Sequence, residues 1–271
     1  MRNSRWPRGA GKARAGFALL VGGVMLAVSC GGPYTPKRVN LASDKLARAD
    51  KLFDEGEFGH AVLEYKDFLA TFAGDERSDY AQFRLAESYR LDEEYALAEV
   101  EYQILINDYG YSDYVDDAFF LEGLCAFMQT PRVERDQTKS YQALDRLNRF
   151  VQMFPSSPRV AEARTAIHDI HMRLGEKDFL SAKLYFSKRL HDAALVYLNK
   201  VIDLDSGTVW AARSMYYRGR IEEARMNTAE AAGEYRKAAS STEAFPEKGD
   251  AEKRLRLMES SAGGVPKADG G

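Results

Sequence analysis

Three times in this chain, the last at Gly219, Ala231 and Tyr235, a small residue is followed twelve positions later by another small residue, and four positions after that by a tyrosine. The first set is Ala49, Ala61, Tyr65 and Phe68; the second is Ala86, Ala98, Tyr102 and Leu105. Turn-forming residues interrupt each interval, Gly56 in the first and Asp92-Glu93-Glu94 in the second, so each set reads as two helices joined by a short turn. Small side chains on both helices let antiparallel partners approach closely, and the aromatic fills the space against the next pair. The pattern continues through Gly123, Ala126, Ala143, Leu147, Phe150 and Pro155, then Ala182, Tyr185, Ala194, Leu198 and Val201, then Gly219, Ala231, Tyr235 and Ala238. In the third set the interval from Gly123 to Ala143 is twenty, which implies an eight-residue insertion in the turn.

This is the tetratricopeptide (TPR) spacing, and it predicts an all-α, TPR-type α-solenoid of about five helix pairs behind an N-terminal lipoprotein signal peptide. No stretch shows sustained two-residue alternation with β-branched enrichment. Residues 1–29 read as the signal peptide, 30–43 as a lipid-anchored flexible tether, 44–157 as repeats one to three, 158–260 as an extra helix (Val160 to Leu174) plus repeats four and five, and 261–271 as a disordered tail.

The leader carries Arg2, Arg5, Arg8, Lys12 and Arg14, then the apolar run Phe17 to Val28, then small residues around Ser29-Cys30-Gly31-Gly32. The run is too short to span a bilayer. Cleavage before Cys30 would leave a cysteine able to carry acyl chains; ordinary signal cleavage with an unmodified thiol is the alternative. The segment resembles a lipobox, with Ala27 three residues before the cysteine where leucine is usual and Leu26 beside it. Two or three acyl chains suffice for stable anchoring. Gly31 differs from the aspartate that resembles an inner-membrane retention signal, so the expected location is the outer membrane, lipid-anchored on its periplasmic face. The full chain carries −3, and loss of the five leader charges leaves −8. An acidic chain lacks the basic stripe that phosphate neutralisation requires, which argues against a nucleic-acid partner.

Register places Tyr80, Phe83, Glu87 and Arg90 of the second repeat, and Asp117, Phe120, Leu124 and Phe127 of the third, toward a concave groove. Aromatics there suit the aromatic residues that end outer-membrane strands, and Arg90 suits a terminal carboxylate. For each residue singly, packing between repeats is the competing reading. Cys125, between Leu124 and Ala126, reads as a buried inert thiol before a reactive one. Asp136 in Arg135-Asp136-Gln137 reads as a cap for the following helix. His168 and His171 lie one turn apart without an evident third ligand, so packing or surface roles are expected and no metal or cofactor. No HExxH, GxSxG, phosphate-cradling glycine loop or CxxC is present, and no enzyme is expected.

The order of these pieces resembles the BamD family, the TPR lipoproteins of the outer-membrane β-barrel assembly machinery. The resemblance rests on Cys30, on the segment Tyr111 to Leu124, on the Arg135-Asp136-Gln137 turn, on Phe150 to Pro158 leading into the extra helix, and on Phe179 to Phe186. The first two repeats depart from the TPR pattern in showing Ala73 and Gly110 where a closing proline is usual. The resemblance implies a non-enzymatic scaffold that binds the POTRA region of a BamA-like barrel protein and receives unfolded outer-membrane proteins, with other assembly lipoproteins as further partners. Substrate recognition would fall to the N-terminal repeats and barrel-protein binding to the C-terminal ones. The alternative is a general periplasmic TPR lipoprotein adaptor in envelope or division complexes.

Overall fold

The computed structural model describes residues 41–130 and 136–262. The signal peptide, Cys30, the tether up to residue 40, Arg135 and residues 263–271 lie outside the described residues. Among the described residues there are eleven helices and no strand: α1 Ala42–Asp54, α2 Phe58–Thr71, α3 Ser78–Leu91, α4 Tyr95–Asp108, α5 Val115–Met128, α6 Thr138–Met153, α7 Val160–Ser187, α8 His191–Leu204, α9 Val209–Ala224, α10 Thr228–Ala239 and α11 Lys248–Ala262. The protein is therefore all-α and built of TPR-type helix pairs. No described helix is long and apolar enough to cross a membrane.

The chain forms two compact units, one ending at Ala118 and the other beginning at Phe119. This division falls inside α5, whereas the sequence reading places its boundary at 157/158. In the first unit α1 pairs with α2 and α3 with α4, and α2 packs on α3. Its core is Leu46, Ala49, Ala61, Val62, Tyr65, Phe68, Ala81 and Leu85. The second unit stacks α6 through α11, with contacts between successive helices and between the alternate helices α7, α9 and α11. One of its cores gathers Phe179, Ala182, Ala194, Leu198, Val201 and Ile221. Another gathers Ala212, Tyr216, Ala231, Tyr235, Ala238, Phe245 and Ala251.

The small residues of the repeat pattern sit where two helices nearly touch. Ala49, Ala61, Ala86, Ala98, Ala126, Ala143, Ala182, Ala194 and Ala231 are all completely buried. The two glycines of the pattern are the closest approaches. A methyl group on Gly123 would stand 2.9 Å from Leu147 Cδ2, and one on Gly219 would stand 2.7 Å from Tyr235 Cε1. The large residues that follow, Tyr65, Tyr102, Leu147, Leu198 and Tyr235, are buried in turn. Burying such a side chain stabilises by about 1.5–3 kcal/mol each.

The turn inside a repeat uses one left-handed residue. Gly56 has φ 79° between α1 and α2, and the corresponding turns place Glu93 at φ 64°, Arg189 at φ 60° and Met226 at φ 65°. Each of these turns closes with a backbone N–H returning to the preceding helix, as Glu57 N–H does to Leu52 O at 2.9 Å and Glu94 N–H to Tyr89 O at 2.9 Å. Only the first turn supplies the glycine that this conformation favours.

Two expectations change here. The extra helix is not a separate element: it continues unbroken into the first helix of repeat four, giving α7 its 28 residues. Gly175, which invites a break, is instead buried in mid-helix, where its missing side chain admits Trp210, whose Cβ would lie 3.3 Å from an added methyl. At the other end α11 runs on to Ala262, past the Ser261 at which the tail was expected to begin.

Candidate protein-docking surface

On the first unit, α1 and α3 present neighbouring faces carrying alternating charges and rings. Tyr80, Phe83, Glu87 and Arg90, four of the residues singled out from register, are all half-buried on α3. Phe83 stacks on Tyr114 with centroids 4.8 Å apart and planes 16° from parallel, and Tyr80 meets the same Tyr114 ring at 6.0 Å. These rings keep part of their surface, so they form a shallow aromatic patch that an apolar side chain of a partner can lie against.

The charges beside the patch are engaged with each other. Arg90 forms a bidentate pair with Glu87, Nε to Oε1 at 2.6 Å and Nη2 to Oε2 at 2.9 Å. Burial opposes the charge on both partners, yet the Arg90 fork holds the Glu87 carboxyl below the usual carboxylate range, and Glu87 raises Arg90 in return. The Tyr102 hydroxyl donates to the same carboxylate. Arg90 is thus not an open cradle for a terminal carboxylate; its fork is already filled.

Sequence reasoning did not find a second network one turn away. Tyr65 and Tyr80 both donate to Asp50 Oδ1, at 2.6 and 2.9 Å. Arg84 lies 3.5 Å above the Phe53 ring and reaches Asp54 Oδ1 at 3.2 Å. Burial, then the bond to Asp50, pushes the Tyr80 hydroxyl up to about 12. A signal was available: a buried tyrosine needs an acceptor for its hydroxyl, and in the first two repeats an acid directly follows the small residue, Asp50 after Ala49 and Glu87 after Ala86.

In the third repeat register and burial lead to different places. Asp117 is half-buried, while Phe120, Leu124 and Phe127 are buried, at 0%, 8% and 5% exposure. Phe120 packs on Phe150 at 5.6 Å and Phe127 lies under the Arg173 guanidinium at 5.2 Å. The three rings and chains offer almost no surface. The packing reading holds for Cys125 as well, which is completely buried.

Asp136 accepts from the Thr138 N–H at 3.1 Å, at the start of α6, although Gln137 takes the cap position itself. His171 and His168 turn their Nδ1 atoms toward Asp205 Oδ2, at 3.1 and 3.6 Å. Among the described residues no group of three His, Cys, Asp or Glu side chains is arranged to hold a metal ion.

The model of a family described as YfiO, an outer membrane lipoprotein, matches residues 42–237, most of the chain, from the start of α1 into the last turn of α10. The chain belongs to the YfiO family. Relatives of this YfiO chain include the outer membrane protein assembly factor BamD of Caulobacter vibrioides, 26% identical over 168 residues, a match covering 62% of this chain. That match spans about half, 55%, of the Caulobacter protein's own length. The BamD of Rickettsia prowazekii is 24% identical over 206 residues, covering 73% of this chain and 79% of that protein. Among solved structures the YfiO chain is similar to the TPR2AB-domain:pHSP90 complex of yeast Sti1, with TM-score 0.45 and 15% identity over 82% of this chain and 84% of that one. The YfiO match begins at the first residue of α1, so it includes the aromatic patch on α3 in full.

Proposed function

We propose that this YfiO-family chain is a lipid-anchored, non-enzymatic TPR scaffold of the outer-membrane β-barrel assembly complex. It is held to the membrane through acylated Cys30, faces the periplasm, binds the POTRA region of a BamA-like barrel protein, and receives unfolded outer-membrane proteins before insertion. The family match over residues 42–237 carries this reading, and the name of the two relatives, outer membrane protein assembly factor, points the same way. The patch of Tyr80, Phe83 and Tyr114 supports the substrate half of it, because half-buried rings held by α3 and the turn before α5 suit the aromatic residues of an unfolded strand at low entropic cost. Asp117 at the start of α5 belongs to the same proposed surface, whereas Phe120, Leu124 and Phe127 are buried and serve packing in the second unit.

The experiment is a mild-detergent pull-down of the C-terminally tagged protein from membranes beside the Cys30→Ala variant, with partners identified by mass spectrometry. Recovery of a POTRA-bearing barrel protein with the wild type is expected, together with release of the variant from the membrane fraction. Recovery of envelope or division proteins alone would overturn the assembly role and leave a general adaptor.

A further inference from the structure

In the second unit, Arg213, Tyr217 and Arg220 share one side of α9, spaced at i, i+4 and i+7. Tyr217 meets Phe186 of α7 at 5.0 Å and Phe179 at 5.5 Å, so the face is aromatic between its two arginines. Three arginines of α9 and α11 in this region are paired. Arg213 forms a bidentate pair with Glu247 at 2.7 and 3.0 Å, Arg218 reaches Glu234 at 3.4 Å, and Arg254 reaches Asp250 at 2.6 Å and Glu223 at 2.7 Å.

Arg220 differs from them. Among the described residues no carboxylate stands at ion-pair distance from it; its one bond is from Nη1 to the Tyr216 hydroxyl at 3.0 Å. That hydroxyl donates onward to Asp250 Oδ2 at 2.7 Å, the same oxygen that accepts from Arg254 Nε, so Asp250 is already engaged. The guanidinium lies 5.9 Å from the centroids of both Phe186 and Tyr216. A guanidinium carries five N–H donors in a planar fork, and here Nε and Nη2 have no acceptor among the described residues while the rings hold the group half-buried.

We propose that Arg220 is the anchor for a carboxylate in an extended acidic segment of a partner protein, with apolar side chains of that segment lying on Phe186 and Tyr217. The planar fork matches a carboxylate in two parallel bonds, and a partly desolvated guanidinium makes such bonds stronger than an exposed one. Arg220 keeps free donors where Arg213, Arg218 and Arg254 are paired, which suits one carboxylate, whereas an anionic lipid surface draws on several free cations together. The site lies on the second unit and stands whether or not the first unit receives unfolded barrel proteins.

The test is fluorescence anisotropy on the purified full chain, with an acetylated, amidated and labelled peptide Ser-Phe-Glu-Glu-Phe-Ser beside its isostere Ser-Phe-Gln-Gln-Phe-Ser. The wild type should bind the acidic peptide about tenfold more tightly than the amide peptide at low salt. Arg220→Gln should abolish that preference, and Arg220→Lys, which keeps the charge and the fold but loses the fork, should retain only part of it. Arg256→Gln, an exposed arginine of α11, should leave it intact. Equal binding of the two peptides by the wild type would overturn the proposal, as would an undiminished preference in both Arg220 variants. Arg220-dependent binding to phosphatidylglycerol vesicles without binding of the acidic peptide would overturn it in favour of a lipid site.

Discussion

Tyr65 on α2 donates its hydroxyl to Asp50 on α1 at 2.6 Å, across the interface of the two helices of one repeat. The same relation recurs where the pattern supplies a tyrosine: Tyr102 to Glu87 in the second repeat and Tyr235 to Glu223 at 2.6 Å in the fifth. In each the carboxylate also faces an arginine, Arg84 at 3.9 Å, Arg90 at 2.6 Å and Arg254 at 2.7 Å. Repeats three and four carry Leu147 and Leu198 at that position and lack the bond. The tyrosine therefore has two roles, as a filler between repeats and as a clamp within one.

The clamp and the filler should separate by mutation. Tyr65→Phe keeps the ring and removes the hydroxyl, leaving Asp50 its bond from Tyr80, so the expected loss is about 1 kcal/mol. Tyr65→Ala removes a completely buried ring and should cost about 3–5 kcal/mol. Urea unfolding monitored by circular dichroism reads both; equal losses would show that the ring contributes nothing beyond its hydroxyl.

Two glycine-to-alanine changes should have opposite signs. At Gly219 the new methyl meets the Tyr235 ring at 2.7 Å, and overpacking of this kind costs roughly 1–3 kcal/mol. At Gly233 on α10 nothing stands within 4 Å, so the helix preference of alanine should stabilise by about 1 kcal/mol. A melting temperature of the Gly219→Ala variant at or above that of the wild type would contradict the close approach of α9 and α10.

Gly56→Ala isolates backbone strain, because φ is 79° while the space around the position is empty. A left-handed alanine costs about 1–2 kcal/mol, so the variant should unfold at lower denaturant. At the equivalent turn Met226→Gly relieves a similar strain but frees the unfolded chain, and the two effects should leave stability within about 0.5 kcal/mol of the wild type.

The Glu87–Arg90 pair should appear in acid. Glu87 is held below its ordinary range in the folded protein, so its contribution is present above the unfolded carboxylate value and disappears as pH falls through the folded one. Melting temperature should therefore fall with pH in this acid range less steeply in Glu87→Gln than in the wild type. The variant should also be less stable than the wild type at pH 7, where Arg90 loses its partner. Parallel pH profiles would show that the carboxylate is not tied to Arg90.

Helix pairing and the buried small residues follow from local sequence, because periodicity and spacing report directly on which side of a helix meets its neighbour. Ala49, Ala61 and Tyr65 could be assigned to a helix interface from their spacing alone, and the interface is where they lie. The same logic misplaced the end of the extra helix. Gly175 weakens a helix locally, but Trp210, distant in sequence, needs the room that glycine leaves, and tertiary packing outweighs propensity.

Which side chains remain available to a partner was decided only by the tertiary structure. Register put Phe83 and Phe120 on equivalent faces, yet Phe83 keeps surface while Phe120 is closed in by Phe150 and Arg159. It put Arg90 in the groove, but its fork is filled by Glu87, whereas Arg220 keeps donors without an acceptor among the described residues, Tyr216 and Arg254 both being bonded to Asp250. A periodic sequence determines the direction of a side chain from its own helix. Glu87 lies one turn from Arg90 on the same helix and was legible from the sequence, but Phe150 against Phe120 and Asp250 against Tyr216 come from distant positions, and only folding brings those together.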